Sequence, residues 1–173
     1  MQLYERLLGT SFARLPAALR RFHGRAGGRA DFALEVTHEP GFLRNAVARI
    51  LRMPAAAARA PGTLVVTVQG DREVWVRTFP DMTRRTTQWI DAGRLVEQAG
   101  AMQFLFAVDA GERGMRFAQT GCRVFGRPLP RALAPRIETV VRGDDVGWNV
   151  LVSIAVPLLG RIATYGGPVT PQP

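Results

Sequence analysis

Glu73, Trp75, Arg77 and Phe79 occupy alternate positions in one short stretch of this sequence. In an extended chain successive side chains point to opposite faces, so these four share one face and Val74, Val76 and Thr78 share the other. A guanidinium two residues from an indole can stack on it or receive a carboxylate. If that face looks inward, Trp75 supplies the wall and Arg77 the polar anchor of a pocket for an anionic amphiphile. Arg84, Arg85, Glu97 and Arg116 would complete or neutralise it, and Trp148 and Tyr165, each an apolar ring with a polar tip, suit its walls. If the face looks outward, Arg77 is a surface ion-pair residue.

His23 ends an amphipathic helix, where the helix dipole favours the imidazolium form. Two roles compete for it: capping the last carbonyls, or serving as a general acid or ligand contact at a cavity mouth. Glu97 is its counterpart in an acid–base site, with a carboxyl pKa raised by partial burial. His38 and Glu39 are adjacent and so point to opposite faces of a strand end. Cys122, with no base beside it in sequence, reads as a small buried thiol.

Two histidines and one cysteine without His-x-x-x-His spacing make no zinc site. No Gly-x-Ser-x-Gly elbow is present, and no Gly-x-Gly-x-x-Gly opens a helix. Neither metal nor cofactor is implied.

The elements that must position these residues are mostly strands. Thr63–Gln69, Arg72–Phe79, Met82–Ile90, Arg94–Gln98, Met102–Asp109, Gly114–Phe125, Arg136–Val141, Val146–Val156 and Arg161–Tyr165 read as extended, with Gly, Pro or Asp between most of them. Ahead of them, Leu3, Leu7 and Leu8 and then Leu15, Ala18, Leu19 and Phe22 mark two helical pieces divided by Pro16. Ala30–His38 alternates as a half-buried strand. A helix over 41–53 follows, with Arg44, Arg49 and Arg52 on its polar side and Pro54 stopping it. The Ala/Pro-rich link Ala55–Gly62 leads into the strands.

This order predicts a β-dominated α+β protein: an antiparallel meander forming a closed or half-open calycin-like barrel with two N-terminal helical segments. It is read as a single domain over 1–173, with a helical segment at 1–24, a strand-rich body at 30–166 and a flexible tail at 167–173. Gly126–Pro135, rich in proline, reads as an ordered crossing segment.

The chain of 173 residues carries a net charge of +9, and all 23 of its basic residues are arginine. Those arginines are scattered and interleaved with apolar helix positions, which disfavours a nucleic-acid footprint. The excess still favours contact with anionic surfaces. A single cysteine excludes an intramolecular disulfide. Residues 1–9 lack a secretory leader pattern, and the apolar run Val150–Gly160 is too short to span a bilayer. The expected location is the cytoplasm.

Several separated phrases carry a family resemblance. Leu3-Tyr4-Glu5-Arg6-Leu7-Leu8-Gly9 leads to Leu15-Pro16 and Phe22-His23-Gly24. Trp75-Val76-Arg77-Thr78-Phe79 and Leu95-Val96-Glu97-Gln98-Ala99-Gly100 follow. Pro128-Leu129-Pro130, Leu133-Ala134-Pro135, Pro157-Leu158-Leu159-Gly160 and Tyr165-Gly166 close the series. In this order they resemble the bacterial domain-of-unknown-function family numbered 4166. The chain departs from that pattern at Ala99, where an aromatic is expected, and at Gly166, where a basic residue is expected. The resemblance implies a stand-alone bacterial domain that also occurs fused behind nicotinamide-dependent, dehydrogenase-like domains, and it implies no activity.

Three functions fit this reading. The first is non-catalytic binding of a small apolar or amphipathic ligand, anionic or neutral, inside the barrel. The second is an accessory domain docking on a dehydrogenase-like protein or weakly on an anionic membrane. The third is a small enzyme with a His23/Glu97 site.

Overall fold

Alternating apolar and polar residues punctuated by turns build eleven strands in the computed structural model, which describes residues 1–51 and 53–173. The strands are β1 (Gly28–His38), β2 (Ala57–Gln69), β3 (Arg72–Thr78), β4 (Thr83–Asp91), β5 (Arg94–Ala99), β6 (Met102–Gly111), β7 (Gly114–Val124), β8 (Arg127–Pro128), β9 (Arg136–Gly143), β10 (Trp148–Val156) and β11 (Gly160–Pro171). Helices α1 (Leu3–Leu8) and α2 (Ala17–His23) flank a 3-10 segment at Gly9–Arg14, and α3 (Phe42–Ile50) links β1 to β2.

Every pairing is antiparallel, and β1 bonds to both β2 and β11. The order runs β6-β5-β4-β3-β2-β1-β11-β10-β9-β7, and β6 also pairs with β7. Ten strands therefore close into a barrel, with the two-residue β8 as an extra strand on β7. Closure removes the exposed edges that a half-open sheet would present.

One side of each of the ten barrel strands faces the interior. Phe32, Leu34, Leu64, Trp75, Phe104, Phe106, Val141, Trp148 and Val169 are buried there. The outer face carries residues such as Asp31, Arg85, Arg116, Glu138 and Asn149. Apolar inside and charged outside is the reverse of the pattern on a membrane-spanning barrel. No helix among the described residues is long and apolar enough to cross a membrane.

Connections alternate between the two ends of the barrel. One end is closed by the N-terminal helices. Tyr4 and Leu19 are almost completely buried there, each worth roughly 2–3 kcal/mol of burial. The Ala18 amide donates to the Asp144 carbonyl (3.1 Å), and the Arg6 guanidinium donates to the Asp71 carbonyl (3.1 Å), tying the helices to the turns at that end. The opposite end bears α3, whose Ala48 packs in a small core with Val152, Ile154, Ile162 and Ala163.

Two expectations are corrected. The tail predicted to be flexible from residue 167 instead continues β11 to Pro171, where Val169 pairs with both Phe32 and Trp148. The Ala/Pro-rich link is the first half of β2, and Pro61 takes a place opposite Ala33. In both places small residues and prolines resemble loop locally, yet each segment lies between partners that satisfy its backbone. The crossing segment at 126–135 contains the short β8 and otherwise no strand. Arg52, predicted on the polar side of the helix, lies outside the described residues.

Candidate functional site

The cross-strand register sets the interior chemistry. On β3 and β4 the directly opposed pairs are Glu73 with Gln88, Trp75 with Thr86, and Arg77 with Arg84. On β4 and β5, Gln88 opposes Glu97. Side chains at directly opposite positions share a face, so β3, β4 and β5 present one polar strip to the interior. The facing wall, from β6 round to β11, is mostly apolar, with Phe104, Phe106, Phe117, Ile137, Val150 and Val152 beside Thr139 and Tyr165. Between them lies a cavity of about 150 Å³.

Arg77 is committed within this strip. Its Nη1 donates to Thr86 Oγ1 (3.0 Å) and pairs with Glu97 Oε1 (3.3 Å), and its guanidinium lies over the Trp75 ring at 5.0 Å. Burial by itself would raise the Glu97 carboxyl. Arg77, the Thr86 hydroxyl and Arg84 outweigh it, and the net pKa falls below the usual glutamate value. Arg84 also lines the cavity, and among the described residues no carboxylate lies within 4.0 Å of it.

The closed end is aromatic. The His23 ring sits 4.0 Å from Tyr4 and stacks on Trp75 at 5.8 Å, with Phe22 edge-on at 5.3 Å. Burial lowers its pKa from 6.5 to about 3, so the ring is neutral. Tyr4 donates its hydroxyl to Gln88 Oε1 (2.9 Å), and burial together with Glu73 and Glu97 pushes its pKa up. Glu73 accepts from the Trp75 indole N–H (3.0 Å) and is raised by burial.

Of the residues expected to form a site, Trp75, Arg77, Arg84, Trp148, Tyr165, His23 and Glu97 all line the cavity. Arg116 and Arg85 do not, because each sits between inward neighbours and is exposed on the outer face. His23 is a buried member of the closed end and not a protonated residue at a mouth. The raised Glu97 pKa expected for acid–base work is overturned by its two arginine neighbours. With His23 at about 3 and Glu97 depressed, neither group is matched to proton transfer near neutral pH. Cys122 is buried opposite Phe104, and burial raises its thiol pKa.

Tyr4, Thr86 and Gln88 complete the polar strip without having been singled out. Thr86 and Gln88 lie in Thr83-Arg84-Arg85-Thr86-Thr87-Gln88, where both faces are polar and no alternation marks the inner one. Tyr4 belongs to a helix whose docking is wholly nonlocal.

Fold and site together define a closed ten-stranded β-barrel domain enclosing an aromatic cavity with one polar strip. The sequence matches the family described as Domain of unknown function (DUF4166) over residues 15–168, and the chain belongs to that family. Comparison with curated proteins and with solved structures returned no match.

Proposed function

We propose that the barrel holds a small amphipathic molecule, with its apolar body against the β6–β11 wall and an anionic group at Arg84. The observation that carries this reading is the surplus cation: Arg77 and Arg84 face the same cavity, and Glu97 pairs with only the first. An unpaired guanidinium in a half-buried site favours an incoming carboxylate or similar anion. The size of the cavity limits the ligand. About 150 Å³ is below the usual ~300–1,000 Å³ of ligand pockets and suits one ring or a short chain.

Two variants test the reading. Arg84→Ala leaves the melting temperature within about 2 °C of wild type and weakens octanoate or benzoate binding roughly tenfold, the usual loss for one charge-assisted contact. Arg77→Ala strands Glu97 and lowers stability by roughly 2 kcal/mol, or several degrees. Isothermal titration and native mass spectrometry of protein purified from cells provide the readouts. An apo mass together with no heat from either probe rejects the ligand-binding reading. Equal binding by wild type and Arg84→Ala rejects the anchor.

A further inference from the structure

The end of the barrel bearing α3 carries six of the nine exposed large apolar side chains among the described residues. Phe42, Leu43 and Ile50 project from α3, Phe125 from the β7–β8 turn, Leu133 from the segment before β9, and Leu158 from the β10–β11 turn. Among the described residues Met1 and Val146 are comparable at the closed end, and Leu151 lies on the outer wall. Hydrogen bonds join the connections at this rim in pairs. Arg44 Nε donates to the Leu159 carbonyl (3.0 Å), the Ala55 amide to Asp81 Oδ2 (2.8 Å), and the Phe125 amide to the Ala101 carbonyl (2.9 Å). Exposed apolar side chains gathered at one end of a barrel whose sides are mostly polar mark a contact surface.

Two of these residues adopt a backbone conformation that runs against their type. Phe125 has φ 49° and Leu158 φ 68°, and both are at least four-fifths exposed. Glycine or asparagine fits such left-handed turn positions at lower cost, and a bulky apolar residue there gains nothing from burial in this fold. Strain retained without internal packing points to an external use.

The charges around the rim identify the partner. Arg49, Arg59, Arg85, Arg127, Arg131 and Arg136 are exposed in these connections or the adjoining strand ends. Both carboxylates in the connections are engaged, Glu39 with Arg161 (3.1 Å) and Asp81 with the Ala55 amide. The closed end also carries arginines, among them Arg14, Arg20, Arg21, Arg25 and Arg113, but Glu5, Asp71, Glu112, Asp144 and Asp145 lie beside them, five carboxylates against the two in the connections of the rim.

The geometry points to a surface of anionic lipid as the occupant of this rim. Phe125, Leu158 and the outer face of α3 enter the headgroup boundary while the arginines meet the lipid charge. The inference goes beyond cavity binding and stands whether or not the cavity is loaded. Where both hold, the rim sets the barrel down on the phase in which an amphipathic ligand resides.

The test is flotation of the full chain with vesicles of phosphatidylcholine alone or mixed with phosphatidylserine. Binding is expected to the mixed vesicles and to weaken as salt rises. The double variant Phe125→Asn with Leu158→Asn relieves the turns, so its melting temperature is equal or higher, while vesicle binding falls roughly tenfold or more. Val146→Ser at the closed end leaves binding unchanged. No flotation with mixed vesicles overturns the inference, as does a fall in the melting temperature of the double variant. A concentration-dependent dimer, abolished by the double variant and seen without vesicle binding, replaces lipid with a second copy of this chain. Native mass spectrometry with titration separates the two proposals: a loaded cavity without flotation removes only the lipid contact, and flotation of a barrel that is apo and gives no heat with octanoate or benzoate removes only the ligand.

Discussion

Between pH 7 and pH 4 the barrel is expected to lose about 3 kcal/mol of stability through His23 alone. The sign follows from linkage. The folded pKa, about 3, lies below the unfolded value of 6.5, so the unfolded chain binds a proton that the native chain refuses. The contribution of His23 is whole above the unfolded pKa and is lost as pH falls toward the folded one, at about 1.4 kcal/mol per unit between them. Glu73 works in the opposite sense. Its folded pKa is raised, so its contribution is present below the ordinary glutamate value and is lost as pH rises through the folded one.

His23→Phe isolates the histidine, because a phenyl ring retains the contacts with Tyr4, Phe22 and Trp75. Urea midpoints at pH 7 and pH 4 are the measurement. The difference between the two pH values should shrink by about 3 kcal/mol in the variant. A wild-type and variant pair with the same pH dependence would mean that His23 is accessible to solvent in the native state.

Gly114→Ala is expected to cost roughly 3–5 kcal/mol, the range of severe backbone clashes. Gly114 begins β7 with φ 133°, and a Cβ there would overlap the Val141 carbonyl carbon and oxygen on β9. Its backbone belongs to two seams at once, opposite Gly111 on β6 and Arg142 on β9. Neither seam can shift without moving the other, because the barrel is closed. Gly121→Ala is the matched control, with ordinary φ and only Leu105 Cβ, at 4.0 Å, near the added atom. It should change stability by less than about 1 kcal/mol. Thermal melts of the two variants decide the matter, and near-equal stabilities would show that β7 and β9 accommodate a side chain by sliding.

Much of the architecture was legible because strand periodicity is a local property. Trp148, Val150, Val152 and Ile154 alternate with Asn149, Leu151 and Ser153, and that contrast separates the two faces of β10, while the closed barrel decides that the first of them turns inward. Glu73, Trp75 and Arg77 share a face for the same reason, whatever they face. Where apolar contrast was missing the reading stopped. The segment 57–62 and the residues after Gly166 are small or proline-rich, and they become strands only because β1 and β10 lie alongside.

The candidate site divides along the same line. Residue order determined that an indole, two guanidinia and a carboxylate lie on consecutive strands of a meander. Tertiary structure decided their roles. Register set Arg77 opposite Arg84 and Gln88 opposite Glu97, and the Arg77 side chain reaches across β4 to Glu97. Among the described residues Arg84 is left with no carboxylate within 4.0 Å, and alternation on β7 turned Arg116 outward. Docking of the N-terminal helices buried His23 against Trp75 and inverted the protonation that its place at a helix end had suggested. Periodicity is written in neighbouring residues. Pairing, burial and the fields they create depend on residues tens of positions away, and these exist as neighbours only once the barrel has closed.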